Sequence, residues 1–262
     1  MSNQKFQQEY WSENLDSRNL GGRFSKKRFN VRDEMAFYFS PEQEYALRPL
    51  WGEGGLKGKR ILEIGCGMGV FTLFLARQEA EVFVVDLSIE RLKFLKSQAA
   101  RIGLGNQIKI ICGAAESLPF APDAFDAVYT KSVLIHTNLD RASRESFRVL
   151  KQGGTAVFVE PLRDNPFAFL YRTCFGPKEW KSITTYFDKS RIRSLAVPFG
   201  RVKVNYFYLF SFGAFFFQFA WRNLSLFRFF VHYLNKLDKA LFHLCPPLKR
   251  LAWFAVIHAR KP

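Results

Sequence analysis

Between Lys59 and Pro161 the chain alternates short apolar runs with longer amphipathic ones, and that alternation leaves few folds open. Arg60–Ile64 reads as a strand that ends in a glycine-rich turn, Val70–Gln78 as a helix, and Glu81–Val85 as a second strand closed by Asp86. Ser88 is placed to cap a helix that runs to Ile102 and stops at Gly103. Gln107–Cys112 and Phe125–Thr130 give two more strands, Leu139–Leu150 a helix, and Thr155–Glu160 a fifth strand started by Gly153 and Gly154. Strands joined through helices at this spacing need right-handed crossovers and so imply a parallel sheet. After Pro161 the alternation breaks. A helix over Asp188–Ala196, a strand over Val202–Tyr208 and a last strand over Leu251–His258 are expected, with about forty residues rich in Phe, Leu, Arg and Lys between the two strands, enough for two helices.

The second part differs in character from the first. After Pro161 there are 17 Lys and Arg against 4 Asp and Glu, so +13 of the formal +16 lies there, as do 17 of the 30 Phe. With 48% hydrophobic residues overall, disorder is not expected. A chain of 262 residues suits one mid-sized α/β domain with elaborations better than two equal ones. We read residues 1–50 as an N-terminal helical cap segment and 51–262 as the main domain, with a helical insert over about 209–249. Cys66, Cys112, Cys174 and Cys245 are scattered, without a CxxC pair or a zinc-like spacing, so no metal site is expected. Three of them stand in apolar stretches and read as small buried hydrophobes with reduced thiols, which points to the cytoplasm. Met1–Trp11 is polar and has no apolar run of the kind a signal peptide needs.

The chemistry concentrates in Glu63-Ile64-Gly65-Cys66-Gly67-Met68-Gly69, directly after a strand and before a helix. Glycines let the backbone turn sharply and let a ligand approach main-chain N–H groups at a helix start. A dinucleotide fingerprint, G-x-G-x-x-G, would need Gly at position 70, which is Val. Without a pyrophosphate to cradle, an acid two residues before the first glycine suits a positively charged amino group. Asp86, at the end of the second strand, is placed to accept hydrogen bonds from ribose hydroxyls. Gly113–Pro119 follows the third strand, where an adenine would lie, and Lys131–His136 follows the fourth. All four lie at the C-terminal ends of strands, where open α/β sheets bind ligands.

In order and spacing, ILEIGCGMGVFT, VVDLS, AAESLPF, FDAVYTKSVLIH and RVLKQGGTAVFVEP resemble the class I S-adenosylmethionine-dependent methyltransferases of the ubiquinone and menaquinone group. The resemblance covers Lys59–Pro161 and the final two strands. It implies a Rossmann-like, seven-stranded, mostly parallel sheet of order 3-2-1-4-5-7-6, with helices on both faces, an antiparallel last strand, and here an aromatic helical insert between the last two strands. It implies S-adenosylmethionine as cofactor and no metal. The family pattern carries over as Glu63, Gly65, Cys66, Gly67 and Gly69 at the methionine end, Asp86 and Leu87 at the ribose, Ala115 and Glu116 near adenine, and Thr130 and Lys131 beside the methionine moiety. One departure stands out: many members have Asp where this chain has Ala114, so the adenine amino group needs another partner, for which Glu116 is the candidate.

His136 follows the fourth strand near the expected methyl group and reads either as a general base or as a histidine that caps or packs its loop. His232, His243 and His258 read as structural. Glu160 reads as part of a surface turn before Pro161, with substrate contact as its alternative. Tyr10 and Trp11 either close over the cofactor or pack. The insert suits an interfacial helix on anionic lipid, at the inner face of a membrane, or a helical cap with a private core. The leading acceptor is a small hydrophobic or amphipathic molecule, such as a quinone precursor, a lipid or a lipid-linked sugar. RNA is the alternative, because +13 after Pro161 could meet phosphates, and a cofactor-binding regulatory protein without turnover is the third reading.

Overall fold

The computed structural model describes residues 40–51, 54–174, 176 and 180–262. Seven strands form one sheet: β1 Arg60–Ile64, β2 Glu81–Asp86, β3 Ile108–Cys112, β4 Phe125–Lys131, β5 Leu150–Pro161, β6 Val202–Phe207 and β7 Phe254–Arg260. Their order is β3-β2-β1-β4-β5-β7-β6, as the resemblance implied. β1 to β5 pair in parallel, while β7 lies antiparallel between β5 and β6. The order reverses direction between β1 and β4, so a crevice is expected outside the C-terminal ends of those strands.

Side-chain alternation gives the sheet two buried faces. Ile61, Val82, Val84, Tyr129, Val157 and Val159 pack under the helices Pro41–Trp51, Val70–Arg77 and Ile89–Arg101. Leu62, Ile64, Val85, Val128, Ala156 and Phe158 pack on the other side, under Leu139–Val149 and Lys189–Ala196. Burial on both faces is why a strand such as Glu81–Asp86 reads as a nearly unbroken apolar run. The helices start where short polar side chains accept orphan N–H groups. Ser88 Oγ accepts from Arg91 N at 3.2 Å, and Asn138 Oδ1 from Arg141 N at 3.2 Å.

Several boundaries differ from the sequence reading. β5 begins at Leu150, and Gly153 and Gly154 lie inside it rather than before it. The strand's register against β4 shifts between Phe125 and Ala127; Gly153 takes φ 72°, and a Cβ on Gly154 would come within 2.8 Å of Lys151 O. The glycine pair therefore makes room for an irregular pairing that side chains would obstruct. β6 stops at Phe207 because Tyr208 turns into the left-handed region, φ 66°. β7 starts at Phe254, since Pro246–Leu251 forms a 3₁₀ turn. A helix over Pro166–Cys174, not expected from the pattern, follows β5. The insert holds two helices, Phe215–Phe219 and Leu224–Leu244.

Of the four cysteines only Cys66 is buried, which corrects the expectation that three would be. Cys112 ends an edge strand, Cys174 ends a helix and Cys245 follows one, so none of these three reaches a core. From the segment read as an N-terminal cap, the helix Pro41–Trp51 buries Ala46, Leu47 and Leu50, and Tyr45 stacks on His258 of β7 at 4.8 Å. Tyr10 and Trp11 lie outside the described residues.

Candidate active site

The turn after β1 is built around left-handed glycines. Gly65, Gly67 and Gly69 have φ of 78°, 53° and 77°, which side chains disfavour. Space is short as well. A Cβ on Gly65 would lie 2.3 Å from Val133, and one on Gly69 2.5 Å from Leu95. Gly69 then starts the helix Val70–Arg77, whose first N–H groups face the turn.

Asp86 organises this turn from the end of β2. Its carboxylate accepts from Cys66 N at 2.9 Å on one oxygen and from Ser88 N at 2.9 Å on the other. The Cys66 thiol also meets Oδ2 at 3.5 Å, while Oδ1 keeps a second acceptor site, so the group can hold the glycine turn and still take up a hydroxyl donor. Leu87 follows it on the same edge, half-buried. Glu63 lies beneath, 3% exposed, with Thr72 Oγ1 donating to its carboxylate. Burial pushes its carboxyl up to about 8, with the nearby Asp86 adding to the rise. Among the described residues no Lys or Arg pairs with it. A buried acid without a cation of its own suits a ligand that brings one.

On the β3 side, Ala115 is buried and Glu116 half-buried. Glu116 Oε1 accepts from Asn138 N at 2.9 Å and so ties the loop after β3 to the start of the helix Leu139–Val149. Its carboxylate is already partly engaged where the sequence reading asked it to meet an adenine.

β4 delivers Thr130 and Lys131 to the same edge, but their side chains turn to opposite faces of the sheet. Thr130 Oγ1 donates to Glu160 Oε1 at 3.1 Å. Lys131 Nζ donates to Glu42 Oε1 at 3.0 Å and Gln43 Oε1 at 3.4 Å on the helix Pro41–Trp51, where Tyr208 also donates to Glu42. Burial holds the Lys131 ammonium below the usual lysine range, with Glu42 opposing that effect.

Glu160 is not in a surface turn. It is fully buried, because β5 keeps pairing with β7 through Pro161↔Phe254 and Leu162 bridges to Phe187 beyond it. Oε1 accepts from Val133 N at 3.3 Å and Leu134 N at 3.1 Å, so the residue fastens the loop after β4. Burial raises its carboxyl to about 7, against the pull of those donors. Ser132, with φ 56°, turns the loop so that Val133 meets Gly65. The loop ends at His136, whose Nδ1 lies 3.0 Å from Ile183 O and 3.4 Å from Thr184 Oγ1. A carbonyl partner requires Nδ1 to carry the proton, which leaves Nε2 as the basic nitrogen. Burial lowers its pKa below the ordinary histidine value, so the ring is neutral at pH 7.

The structure thus brings Glu63, the three glycines, Cys66, Asp86, Leu87, Ala115, Glu116 and the loop to His136 to one edge. Thr130 and Lys131 contribute backbone there and side chains below it. Thr72, Glu42 and Glu160 were not singled out as site residues; only the position of Glu160 at a strand end hinted at them. A separate cavity of about 800 Å³ opens at the opposite edge, among Lys59, Asp126, Lys151, Arg201, Lys203 and Arg260, away from all these groups. No cluster of His, Cys, Asp and Glu fit to hold a metal occurs among the described residues.

Comparison with known proteins agrees with this layout. Residues 62–158 match the family model described as a methyltransferase domain. A ubiquinone biosynthesis O-methyltransferase of Aeromonas salmonicida is 33% identical over 117 residues, 45% of this chain and 49% of its own. A sarcosine/dimethylglycine N-methyltransferase of Aphanothece halophytica is 27% identical over 108 residues, 40% of this chain and 39% of its own. The matched region spans half or less of these relatives. In fold, the geranyl diphosphate C-methyltransferase of Streptomyces coelicolor superposes with a TM-score of 0.64 at 14% identity, over 100% of this chain and 99% of that one. The sheet order and the acid-flanked glycine turn after β1 are those that the resemblance to class I S-adenosylmethionine-dependent methyltransferases implies, and residues 62–158 match a methyltransferase domain.

Proposed function

We propose that the chain transfers the methyl group of S-adenosylmethionine to a small hydrophobic or amphipathic acceptor, of the quinone-precursor, lipid or lipid-linked-sugar kind. The observation that carries the cofactor half is Glu63, a buried acid that no Lys or Arg among the described residues pairs with, beside a glycine turn where a Cβ on Gly65 or Gly69 would collide with Val133 or Leu95. In this reading Glu63, Gly65, Cys66, Gly67 and Gly69 hold the methionine end. Asp86 and Leu87 hold the ribose, Ala115 and Glu116 border the adenine, and Thr130 and Lys131 shape the wall between β4 and the helix Pro41–Trp51. The cofactor supplies an already activated methyl group, which leaves orientation as the main task of the protein. His136 is the candidate base, removing a proton from an oxygen or carbon acceptor through Nε2. An amine acceptor needs no such help.

Support for the acceptor class comes from the aromatic, basic insert and from relatives named for quinone and geranyl diphosphate chemistry. The same basic, aromatic surface supports a position in the cytoplasm at the inner face of a membrane as part of this reading; among the described residues no helix is long and apolar enough to cross a bilayer. The test is incorporation of labelled methyl groups into the lipid, small-molecule, nucleic-acid and protein fractions of a cell extract. Label in the lipid or small-molecule fraction is expected. Label in RNA would favour the reading that the +16 charge suggests, and cofactor binding without label in any fraction would favour a regulatory protein.

A further inference from the structure

The helix Leu224–Leu244 carries three parallel stripes, each repeating at the same helical spacing. One stripe, Phe227, Val231, Asn235, Asp238 and Phe242, is buried. The next, one residue on, is Arg228, His232, Lys236, Lys239 and His243, all exposed. The third is Phe229, Tyr233, Leu237, Ala240 and Leu244, also exposed, and its large members are 55%, 56%, 47% and 78% accessible. The helix therefore has a second apolar face that is exposed among the described residues, lying alongside a row of bases. The two histidines read as structural from the sequence belong to that outer row.

Acid is kept off both outer stripes. The single acid of the helix, Asp238, points inward, where it accepts from Leu209 N at 3.0 Å, Phe210 N at 2.9 Å and Ser211 N at 3.1 Å and so pins the helix to the turn after β6. The exposed apolar face continues onto the preceding helix through touching rings. Tyr233 meets Phe229 at 4.8 Å, Phe229 meets Phe230 at 5.4 Å, Phe230 stacks on Phe217 at 4.5 Å, and Phe217 meets Trp221 at 5.5 Å. Trp221 is 64% exposed at the end of this row. The exposed rings of the helix and the exposed Trp221 are thus joined through the half-buried Phe230 and Phe217, and clustered exposed apolar side chains of this kind mark an interaction site.

We propose that this face lies in the interface of an anionic bilayer, with Trp221, Phe229, Tyr233, Leu237 and Leu244 among the acyl chains and Arg228, Lys236 and Lys239 against lipid phosphates. The charge decides the occupant. Apolar residues and bases side by side, with no acid, complement a surface that is apolar within and negative at its rim, which is the signature of an interfacial helix. Each base near such a surface adds to the attraction, and salt screens it. The inference rests on the lipid-like acceptor proposed above only for the reason such an enzyme would sit there.

The experiment is sedimentation of the full chain with vesicles of phosphatidylglycerol and phosphatidylcholine, beside pure phosphatidylcholine, at rising salt. We expect binding to the anionic vesicles alone, weakening with salt. The triple variant Phe229→Ser, Tyr233→Ser, Leu237→Ser should bind at least tenfold more weakly. The variant Arg228→Glu, Lys236→Glu, Lys239→Glu should lose binding and its salt dependence. These side chains are exposed, so both variants should retain the wild-type circular dichroism and cofactor affinity. A wild-type protein left in the supernatant at low salt overturns the proposal, as does a charge-reversed variant that binds like wild type. Concentration-dependent dimers abolished by the serine variant, or RNA binding that survives it, together with failure on vesicles, would assign the face to another partner. Methyl transfer to a lipid fraction in detergent reports on the acceptor separately, so either reading can fail alone.

Discussion

Replacing Glu63 by Gln tests the cofactor reading without any need for the acceptor. The carboxyl is buried under the glycine turn and titrates near 8, so at pH 7 it is about nine-tenths protonated. An ammonium placed beside it should pull that value down by about 1–3 units, into the range of about 5 to 7. Cofactor binding at pH 7 should then release between about 0.4 and 0.9 protons, and the gain in affinity from the ion pair should lie between roughly twofold and a hundredfold. Calorimetry in two buffers with different ionisation heats counts the protons. At that pH the amino group of the ligand is already mostly protonated, so it contributes little. Glu63→Gln keeps the shape and should abolish the release while weakening binding by the same factor. An equal proton count in wild type and variant would show that no ammonium sits beside Glu63.

Asp86→Ala should weaken cofactor binding by about 1.5–3 kcal/mol, read by the same calorimetry, and should loosen the turn that Cys66 N and Ser88 N now anchor. Gly65→Ala adds a side chain at φ 78° that collides with Val133, and should lower stability by about 1–3 kcal/mol in urea titrations. If His136 is the base, His136→Ala should reduce turnover about a hundredfold or more with cofactor affinity unchanged, and wild-type kcat/KM should level off by pH 7 because the ring is neutral there. Glu160 binds its proton more tightly folded than unfolded, so its contribution to stability is present below about 4.5 and is lost as pH rises through about 7. Glu160→Gln should flatten that decline, by up to about 1.4 kcal/mol per pH unit, in urea midpoints taken at pH 5, 6 and 7.

The sheet was legible because parallel strands buried on both faces leave a mark in the chain itself. Glu81–Asp86 is apolar over Val82–Val85 and Phe125–Lys131 over Ala127–Tyr129, and each is followed within a few residues by a capping side chain or a turn. The boundaries that moved did so for reasons outside the local pattern. Gly153 and Gly154 look like the start of a strand, yet Leu150 already pairs with Phe125, and the glycines serve a register shift that exists only once β4 is in place. The three exposed cysteines were misread because an apolar neighbourhood in sequence says nothing about whether an element ends at the surface.

The site divides in the same way. The glycine turn and the strand-end acid were readable as structure, since a glycine turn needs left-handed backbone and a strand-end acid needs only its own position. The parts that fix the walls were not. Lys131 was read as lying beside the methionine moiety; its ammonium donates to Glu42, 89 residues earlier, and Tyr208 donates to the same carboxylate from after β6. No spacing in the chain announces that meeting. Such a network is worth its desolvation only if every member stays paired. Loss of Glu42 would therefore take the carboxylate from a buried ammonium, and loss of Lys131 the ammonium from a buried carboxylate. Glu42 thereby ties the helix Pro41–Trp51 to β4 and to the turn before the insert, and Gln43 adds bonds to Lys131 and Tyr129 of β4. The sequence reading placed that helix in an N-terminal cap segment, and its buried acid ties it to the end of β4, where the candidate site lies.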